Sequence, residues 1–282
     1  MRETLVDAMV DGTWSSPAGP SAGPGSGAGA GSGAGPAAGV LVLPDGCVDV
    51  MEEGGRLVVV GPMTVARWVG EGVARRGVRW RPGRLAGWLG CSLDGLRDRV
   101  VPLDEVLGHR FRGGLDDVVE ESLSCALGSG SGLESGSALG SGSGLDGVLP
   151  RVLAGELLPG GRLIGGRAEV LAVADALVAH PELAVADLAR VVGLSARQLQ
   201  RIFLQEVGMG PRVFARVRRL QRLTGLMQAW AAAPSALSRD LTGWALEAGY
   251  ADQPHMGRDV RALTGLTPLG LLATMSESFK TG

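Results

Sequence analysis

Three polar side chains in the segment Leu188–Phe203 have the types and the spacing of a hydrogen-bonding surface. Gln200 and Arg201 follow Arg197 by three and four residues, and an α-helix places such neighbours on one face. Guanidinium and amide groups on an exposed face form the hydrogen bonds with which a helix-turn-helix contacts DNA. The segment therefore predicts a DNA-reading surface, provided that the residues around it can build that motif.

The neighbouring residues meet the steric demands of a helix-turn-helix. Ala189 lies four residues before Gly193, and a small side chain there lets a second helix cross closely. Gly193 suits the left-handed backbone that ends the first helix, and Ser195 is a good N-cap for the second helix. The apolar positions expected to lock the two helices together are Leu188, Val192, Leu194, Leu199 and Ile202 or Phe203.

A second, degenerate copy of this pattern follows at Leu241–Val260. Ala245 precedes Gly249 by four residues, and Asp252 can cap a helix that begins at Gln253-Pro254, since proline is tolerated in the first turn. Two copies in tandem indicate a helix-turn-helix pair much more strongly than one copy does. The polar residues left near the exposed start of the second helix are Gln253, His255 and Arg258.

A long helix, Arg212–Ala231, is predicted between the two copies, and basic residues recur along it at helical spacing. At 1.5 Å per residue it spans about 30 Å. This is close to one turn of B-DNA, about 34 Å, the separation that places two readers in successive major grooves on one face. The helix therefore explains why the two copies lie at this distance.

Residues Leu188–Pro211 and Leu241–Pro268 resemble the DNA-binding domain of the AraC/XylS family of transcription regulators. The sequences that carry the resemblance are LARVVGLSARQLQRIFLQEVGMGP and LTGWALEAGYADQPHMGRDVRALTGLTP, and the ending Gly265-Leu266-Thr267-Pro268 is the family's habitual one. The motifs LPDGCVDVM, VVVGPMT, GVRWRPG and LRDRVVPLDEVLG are similar to a sensory-type N-terminal domain of actinobacterial members. The resemblance implies a site-specific transcription factor that binds double-stranded promoter DNA, with RNA polymerase as a partner.

Residue roles follow from the resemblance position by position. It implies base contacts, in which Arg pairs with guanine and Gln with adenine, for Arg197, Gln200, Arg201, Gln253, His255 and Arg258. It implies contacts with the DNA backbone for Ser195, Arg212, Arg216 and Arg219. Such contacts position the protein on the duplex without specifying the base sequence. Because Gly257 stands where the first copy has Gln200, we expect the first copy to carry most of the sequence specificity.

The composition restricts the class of protein. The segment Ala184–Thr274 holds 11 Arg against six Asp and Glu, on a chain whose net charge is −2, and a basic module of this kind suits nucleic-acid contact. The N-terminus is too acidic for a signal peptide, and no apolar run is long enough to span a membrane. The three cysteines show no metal-ligand spacing, so we expect neither metal nor cofactor, and a cytoplasmic location.

The expected fold is α+β: a small, mixed, β-rich N-terminal domain followed by an all-α domain with two helix-turn-helix subdomains joined by a long helix. In the first domain, strands are predicted on both sides of Pro44-Asp45-Gly46, at Arg56–Val60 and at Val73–Trp80, and short helices at Arg84–Leu89 and Leu93–Val101. The predicted division is a disordered low-complexity N-terminus (1–39), a sensory-like domain (40–127), a Gly/Ser linker (128–147), a connector (148–167), the DNA-binding domain (168–275) and a tail (276–282).

Two groups of polar residues in the N-terminal domain bear on the choice of function. Asp45, Cys47 and Asp49 alternate along a predicted strand, but no histidine is near, and a turn with a buried cysteine explains them better than a catalytic site. Arg79 and Arg81 are candidates for binding an anionic or aromatic effector, and a salt-bridged surface turn explains them equally well.

The sequence leaves three hypotheses about function. The first is a one-component regulator, not an enzyme, whose N-terminal domain senses a small molecule. The second is a DNA-targeted enzyme that uses Cys47, although the expected nucleophile motif is missing. The third is a regulator that has lost ligand sensing. The sequence leaves the oligomeric state undecided, because two readers in one chain remove the geometric need for a dimer.

Overall fold

The computed structural model describes residues 10–16, 39–70, 75–107, 167–232 and 241–278. The predicted Gly/Ser linker at 128–147 lies outside these residues. So do all but the last residue of the predicted connector, most of the predicted tail and the start of the strand predicted at Val73–Trp80.

A five-stranded antiparallel sheet forms the centre of the N-terminal domain. Its strands are β1 (Val10–Ser16), β3 (Val48–Glu53), β4 (Arg56–Val60), β6 (Arg75–Trp80) and β7 (Val100–Pro102), and they lie in the order β1-β6-β3-β4-β7. Strands β3 and β4 form a hairpin in which Glu53 pairs with Arg56. The two residues of its turn, Gly54 and Gly55, both have positive φ, as the mirror-image turns of tight hairpins require.

A separate two-stranded sheet contains β2 (Gly39–Val42) and β5 (Arg67–Gly70). Both strands predicted around Pro44-Asp45-Gly46 therefore form, but they belong to different sheets and do not pair with each other. Gly46 has a φ of 82°, and the turn that contains it packs on the C-terminal domain instead of closing a hairpin. Strand β5, whose sequence is only Arg-Trp-Val-Gly, was not predicted.

The prediction that residues 1–39 are disordered is wrong for Val10–Ser16, which form β1. Val10–Ser16 pairs along β6, with Thr13 opposite Val78 and Ser16 opposite Arg75. Without this strand β6 would be the edge of the sheet, with its backbone hydrogen-bonding groups unpaired. Pairing of a distant edge therefore orders a segment whose local composition predicts no structure.

Short helices close the end of this sheet. They are α1 (Ala86–Leu89), a 3₁₀ turn (Leu93–Leu96) and α2 (Leu103–Leu107). The second helix predicted at Leu93–Val101 is thus one 3₁₀ turn followed by β7. The buried residues of this domain's core include Val48, Val50, Val59, Trp80, Leu85, Leu89 and Leu93.

The C-terminal domain is entirely helical among its described residues, as predicted. Helix α3 spans Ala168–Ala179, an apolar-periodic run that ends at His180-Pro181. The remaining helices are α4 (Val185–Val191), α5 (Ala196–Val207), α6 (Pro211–Ala232), α7 (Leu241–Glu247), α8 (Gln253–Thr264) and α9 (Pro268–Ser278). One buried cluster runs from Val170 to Leu272 and joins all of them around α6. The predicted fold class is therefore confirmed.

The N-terminal domain contacts both halves of the helical domain. At Gly208, which ends α5, an added Cβ would lie 2.8 Å from the carbonyl oxygen of Leu93. On α6, Arg218 and Gln221 donate hydrogen bonds to the carbonyl oxygens of Asp45 and Pro44, at 3.0 and 2.7 Å.

The third contact of the N-terminal domain is with α8. The backbone N–H of Ala66 donates to the carbonyl oxygen of Leu263 at 2.7 Å. A single domain thus touches the C-terminal ends of α5 and α8 and the middle of the helix that joins them.

Candidate DNA interface

The first helix-turn-helix has the geometry that its sequence predicts. Ala189 is 1% exposed, and Gly193 ends α4 with a φ of 71°. The N–H of Leu194 then returns to the carbonyl oxygen of Ala189 at 2.9 Å, which closes the turn. Ser195 caps α5 in a reciprocal capping box with Gln198, so two of the N–H groups that a helix start leaves unpaired are satisfied.

The second copy reproduces this geometry. Ala245 is fully buried, Gly249 has a φ of 87°, and the N–H of Tyr250 donates to the carbonyl oxygen of Ala245 at 2.9 Å. Asp252 caps α8 by accepting a 2.6 Å hydrogen bond from the N–H of His255. The turn is one residue longer than in the first copy, because Ala251 separates Tyr250 from the cap.

The recognition helices α5 and α8 are equivalent along their whole length. Each has 12 residues. Each ends at a glycine in the left-handed conformation, Gly208 with φ 79° and Gly265 with φ 75°. Each is followed by a helix whose first residue is proline, Pro211 or Pro268. The chain therefore contains a structural repeat, and α6 connects its two units.

The predicted base-contact residues fall into two groups in the structure. Five of them have exposed side chains on the recognition helices: Arg197, Gln200, Arg201, Gln253 and Arg258. The amide of Gln200 lies against Gly210, at the junction with α6, so closely that a Cβ on residue 210 would collide with it.

His255 forms the second group by itself, because its imidazole is held by protein groups. Its Nδ1 accepts a hydrogen bond from the N–H of Ala251 at 3.3 Å, and its ring packs edge-to-face on Tyr250 with centroids 5.3 Å apart. His255 therefore helps to order the start of α8. A role in contacting a base stays a prediction.

The predicted backbone contacts differ in how free their side chains are. Arg212 is exposed, and Ser195 is exposed with its hydroxyl in the capping box. Arg216 is 36% exposed, and its Nε donates to Asp259 at 3.0 Å. Arg219 is only 15% exposed, donates to the carbonyl oxygen of Pro181 at 3.1 Å and lies 3.6 Å from Asp259. Its position indicates a structural role inside the domain.

Asp259, which contacts Arg216 and Arg219, is the residue of this cluster that the sequence did not predict. It is 7% exposed and is the one charged side chain classed as buried within the described ranges. Its position in the sequence could have indicated burial, since Asp259 follows Met256 by three residues and precedes Val260, and both of these apolar residues are fully buried. Tyr250 lies in the same cluster, and burial together with the charge of Asp259 raises the pKa of its phenol.

The effector candidates in the N-terminal domain lie in different surroundings. Arg79 forms a two-pronged ion pair with Asp49, at 3.0 Å for both contacts, and a further pair with Asp45 at 3.2 Å. Burial alone would lower the pKa of this guanidinium, but the hydrogen bonds to Asp49 and both negative charges raise it. Arg81 is exposed on the turn that follows β6.

The hypothesis of a DNA-targeted enzyme depends on Cys47, which is buried and only 6% exposed. Its backbone N–H donates to Asp45 at 2.8 Å. Within the described residues, no group of three or more His, Cys, Asp or Glu side chains is placed to hold a metal ion. Over the same residues, no helix combines the length and the apolar character needed to cross a membrane.

Comparisons with known proteins agree with the geometry of the C-terminal domain. Residues 188–273 match the family model described as a helix-turn-helix domain, which is of the AraC type. The match covers both helix-turn-helix units and α6. No curated protein sequence matches the chain.

Several solved structures of ToxT from Vibrio cholerae are similar to the chain at a distant level. One, the P21 form at 1.65 Å, shares 10% identity over 83% of this chain and 89% of that chain, with a TM-score of 0.39. An apo variant shares 11% identity over 83% and 88%, with a TM-score of 0.38. A structure of ToxT with an unsaturated fatty acid bound shares 10% over 82% and 85%, with a TM-score of 0.35.

Proposed function

Because its C-terminal domain is a tandem helix-turn-helix of the AraC/XylS type, we propose that this DNA-binding regulator reads a specific site with both recognition helices. In this proposal α5 and α8 enter adjacent major grooves on one face of the duplex. The N-terminal domain modulates that binding in response to a small-molecule effector. The protein then acts on transcription in the cytoplasm, by contact with RNA polymerase from the bound site.

The observation that supports this proposal most strongly is the structural repeat. The two units share the spacing of alanine and glycine before the turn, a 12-residue recognition helix and an end at a left-handed glycine. Such a repeat suits contact with two successive segments of DNA. The connecting helix α6 has 22 residues, which corresponds to about 33 Å. One helical turn of B-DNA separates successive major grooves on one face by about the same distance.

The exposed side chains define the proposed contacts. In the first unit, Arg197, Gln200 and Arg201 contact base edges, where Arg suits guanine and Gln suits adenine. In the second unit Gln253 and Arg258 contact base edges. His255 contributes less to this contact, because Ala251 and Tyr250 already hold its ring. Since fewer side chains are free in the second unit, we propose that it contributes mainly affinity and register.

The proposed phosphate contacts are Arg212, Arg216 and Ser195. Arg212 lies in the first turn of α6 and is exposed. Ser195 lies at the N-terminus of α5, where the helix dipole and free N–H groups favour a phosphate. We leave Arg219 out of the proposed interface because Asp259 and the carbonyl oxygen of Pro181 already engage its guanidinium, which is only 15% exposed.

The contacts between the two domains support modulation by the N-terminal domain. A change in that domain reaches α5 through Leu93 and Gly208, α6 through Asp45 and Arg218, and α8 through Ala66 and Leu263. An enzyme that used Cys47 would need its thiolate to meet a substrate, and a thiol that is 6% exposed favours the regulator instead.

Selection of bound duplexes from a random pool by the full-length chain tests this function. The proposal expects an enriched site of two short boxes about 10 base pairs apart. It also expects affinity to fall steeply with salt, because phosphate contacts release counterions. Binding without an enriched sequence, or no binding at low salt, would contradict the proposal. The double variant R197A/R201A should bind the pool but lose the enrichment of the first box.

A further inference from the structure

Asp259 connects the second recognition helix to the helix between the two units. Its Oδ1 accepts a hydrogen bond from Nε of Arg216 at 3.0 Å. Its Oδ2 lies 3.6 Å from a terminal nitrogen of Arg219 and 3.7 Å from Nε2 of His255. Arg216 and Arg219 both belong to α6, so one buried carboxylate on α8 contacts two arginines of α6.

The first unit has an apolar residue at the position that corresponds to Asp259. When Ser195 is aligned with Asp252, Ile202 aligns with Asp259. Ile202 is a buried apolar residue, 3% exposed. A buried ion pair is generally no more stabilising than apolar side chains of the same volume. The carboxylate therefore has little advantage as a source of stability, but its hydrogen bond to Arg216 and its ion pair with Arg219 form only within a narrow range of helix positions.

The same contact fixes the direction of Arg216. Its Nε is bound to Asp259, and its side chain is 36% exposed. Its two terminal nitrogens make no hydrogen bond to any of the described residues. Terminal guanidinium nitrogens form strong, charge-assisted hydrogen bonds with phosphate oxygens. Without the carboxylate the side chain would lose the contact that restricts it.

We propose that Asp259 is a positioning residue that sets the placement of α8 relative to α5 and holds Arg216 toward a DNA phosphate. Asp259 itself touches no nucleotide in this proposal. The statement about helix placement applies to the free protein, whereas the statement about Arg216 rests on the proposed DNA-binding function. The two parts can therefore be tested separately.

Helix placement is measured without DNA, by double electron–electron resonance on the full chain. Spin labels carried by non-canonical amino acids replace Ala196 on α5 and Ala262 on α8, both of which are exposed. We compare D259N, which keeps the side-chain shape, and D259I, which copies the first unit. The control D104N removes the same charge from an exposed position in the N-terminal domain.

The expected result is a narrow distance distribution in the unchanged chain and in D104N. In D259N and D259I the distribution shifts or broadens, while circular dichroism shows unchanged helix content. If both Asp259 variants gave the distribution of the unchanged chain, the positioning role would be wrong. The use of two substitutions protects the test, since the apolar variant keeps a buried residue type that the first unit tolerates.

The role of Arg216 is measured from the salt dependence of DNA binding. Loss of one phosphate contact reduces the slope of log K against log salt by about 0.9. We expect this reduction in R216A and in D259N, no further reduction in the double variant, and none in D104N. An unchanged slope in D259N would contradict the proposal. If the unchanged chain bound no DNA, the proposed function would fail, and the distance measurement would still decide the placement of α8.

Discussion

The glycines that end the two recognition helices allow a direct test of how the domains are coupled. Gly208 and Gly265 have the same position in their units and almost the same φ, 79° and 75°. Their surroundings differ. A Cβ on residue 265 would meet no atom within 4 Å, whereas one on residue 208 would collide with Pro62 and lie 2.8 Å from the carbonyl oxygen of Leu93. A comparison of G208A with G265A therefore separates the cost of backbone strain from the cost of disturbing the contact between the domains.

The expected magnitudes follow from these two terms. An alanine in the left-handed region costs about 1–2 kcal/mol, and both G208A and G265A incur this cost. Forcing a methyl group into a packed contact adds about 1–3 kcal/mol, and only G208A incurs this second cost. We therefore expect the free energy of unfolding to fall by about 1–2 kcal/mol in G265A and by about 2–5 kcal/mol in G208A.

The assay is urea unfolding of the full chain, followed by circular dichroism. A second matched pair repeats the comparison at another contact. Gly46, with φ 82°, would bring a Cβ within 2.8 Å of ring carbons of Phe214, whereas Gly54, with φ 58°, meets nothing within 4 Å. We expect G46A to cost more than G54A. Equal costs within both pairs would refute the conclusion that the N-terminal domain packs on α5 and α6.

Three further predictions concern the helical domain itself. S195A and D252A each remove an N-cap and should each lower the free energy of unfolding by about 1 kcal/mol, as thermal melts would show. The absorbance of the single tyrosine should titrate above the ordinary value of about 10, since burial raises the pKa of Tyr250. The folded chain then holds this proton more tightly than the unfolded chain. The free energy of unfolding is therefore unaffected below about pH 10 and falls as the pH rises further, and this fall should be absent in Y250F. R201A should relax base preference in its box by about 1–3 kcal/mol, and R258A by less, in competition binding. Equal losses would contradict the unequal roles of the two units.

Local sequence predicted the helical domain well because its helices have local signals. The apolar period of α3 and the His180-Pro181 pair that follows it determine both ends of that helix. In the same way, Ser195 and Asp252 are short polar caps that act on the next turn of their own chain. Ala189 and Gly193 indicate the turn of the motif because the steric requirement lies within five residues.

The N-terminal domain was less predictable because its strands pair over long distances. Nothing near Val10–Ser16 shows that β6 offers it an edge. Likewise Pro44-Asp45-Gly46 has the composition of a hairpin turn, but Arg218 and Gln221 on a distant helix bind its carbonyl groups. Local composition cannot distinguish a turn that closes a hairpin from a turn that docks on another domain.

The candidate interface shows the same limit for charged residues. Exposed arginines are the usual case on a long helix, so Arg216 and Arg219 appeared equally available from their spacing. Only the packing of α8 on α6 shows that Asp259 contacts both of them, Arg216 with 36% of its side chain exposed and Arg219 with 15%. A charged residue at an inward helix position is the sequence feature that would have indicated this cluster.

The central claim is that one chain reads DNA with two recognition helices on one face of the duplex. Hydroxyl-radical footprinting of the full chain on its enriched site tests this claim most directly. We expect two protected windows on each strand, with centres about 10 base pairs apart, and loss of one window alone in R197A/R201A. A single protected window in the unchanged chain would contradict the claim.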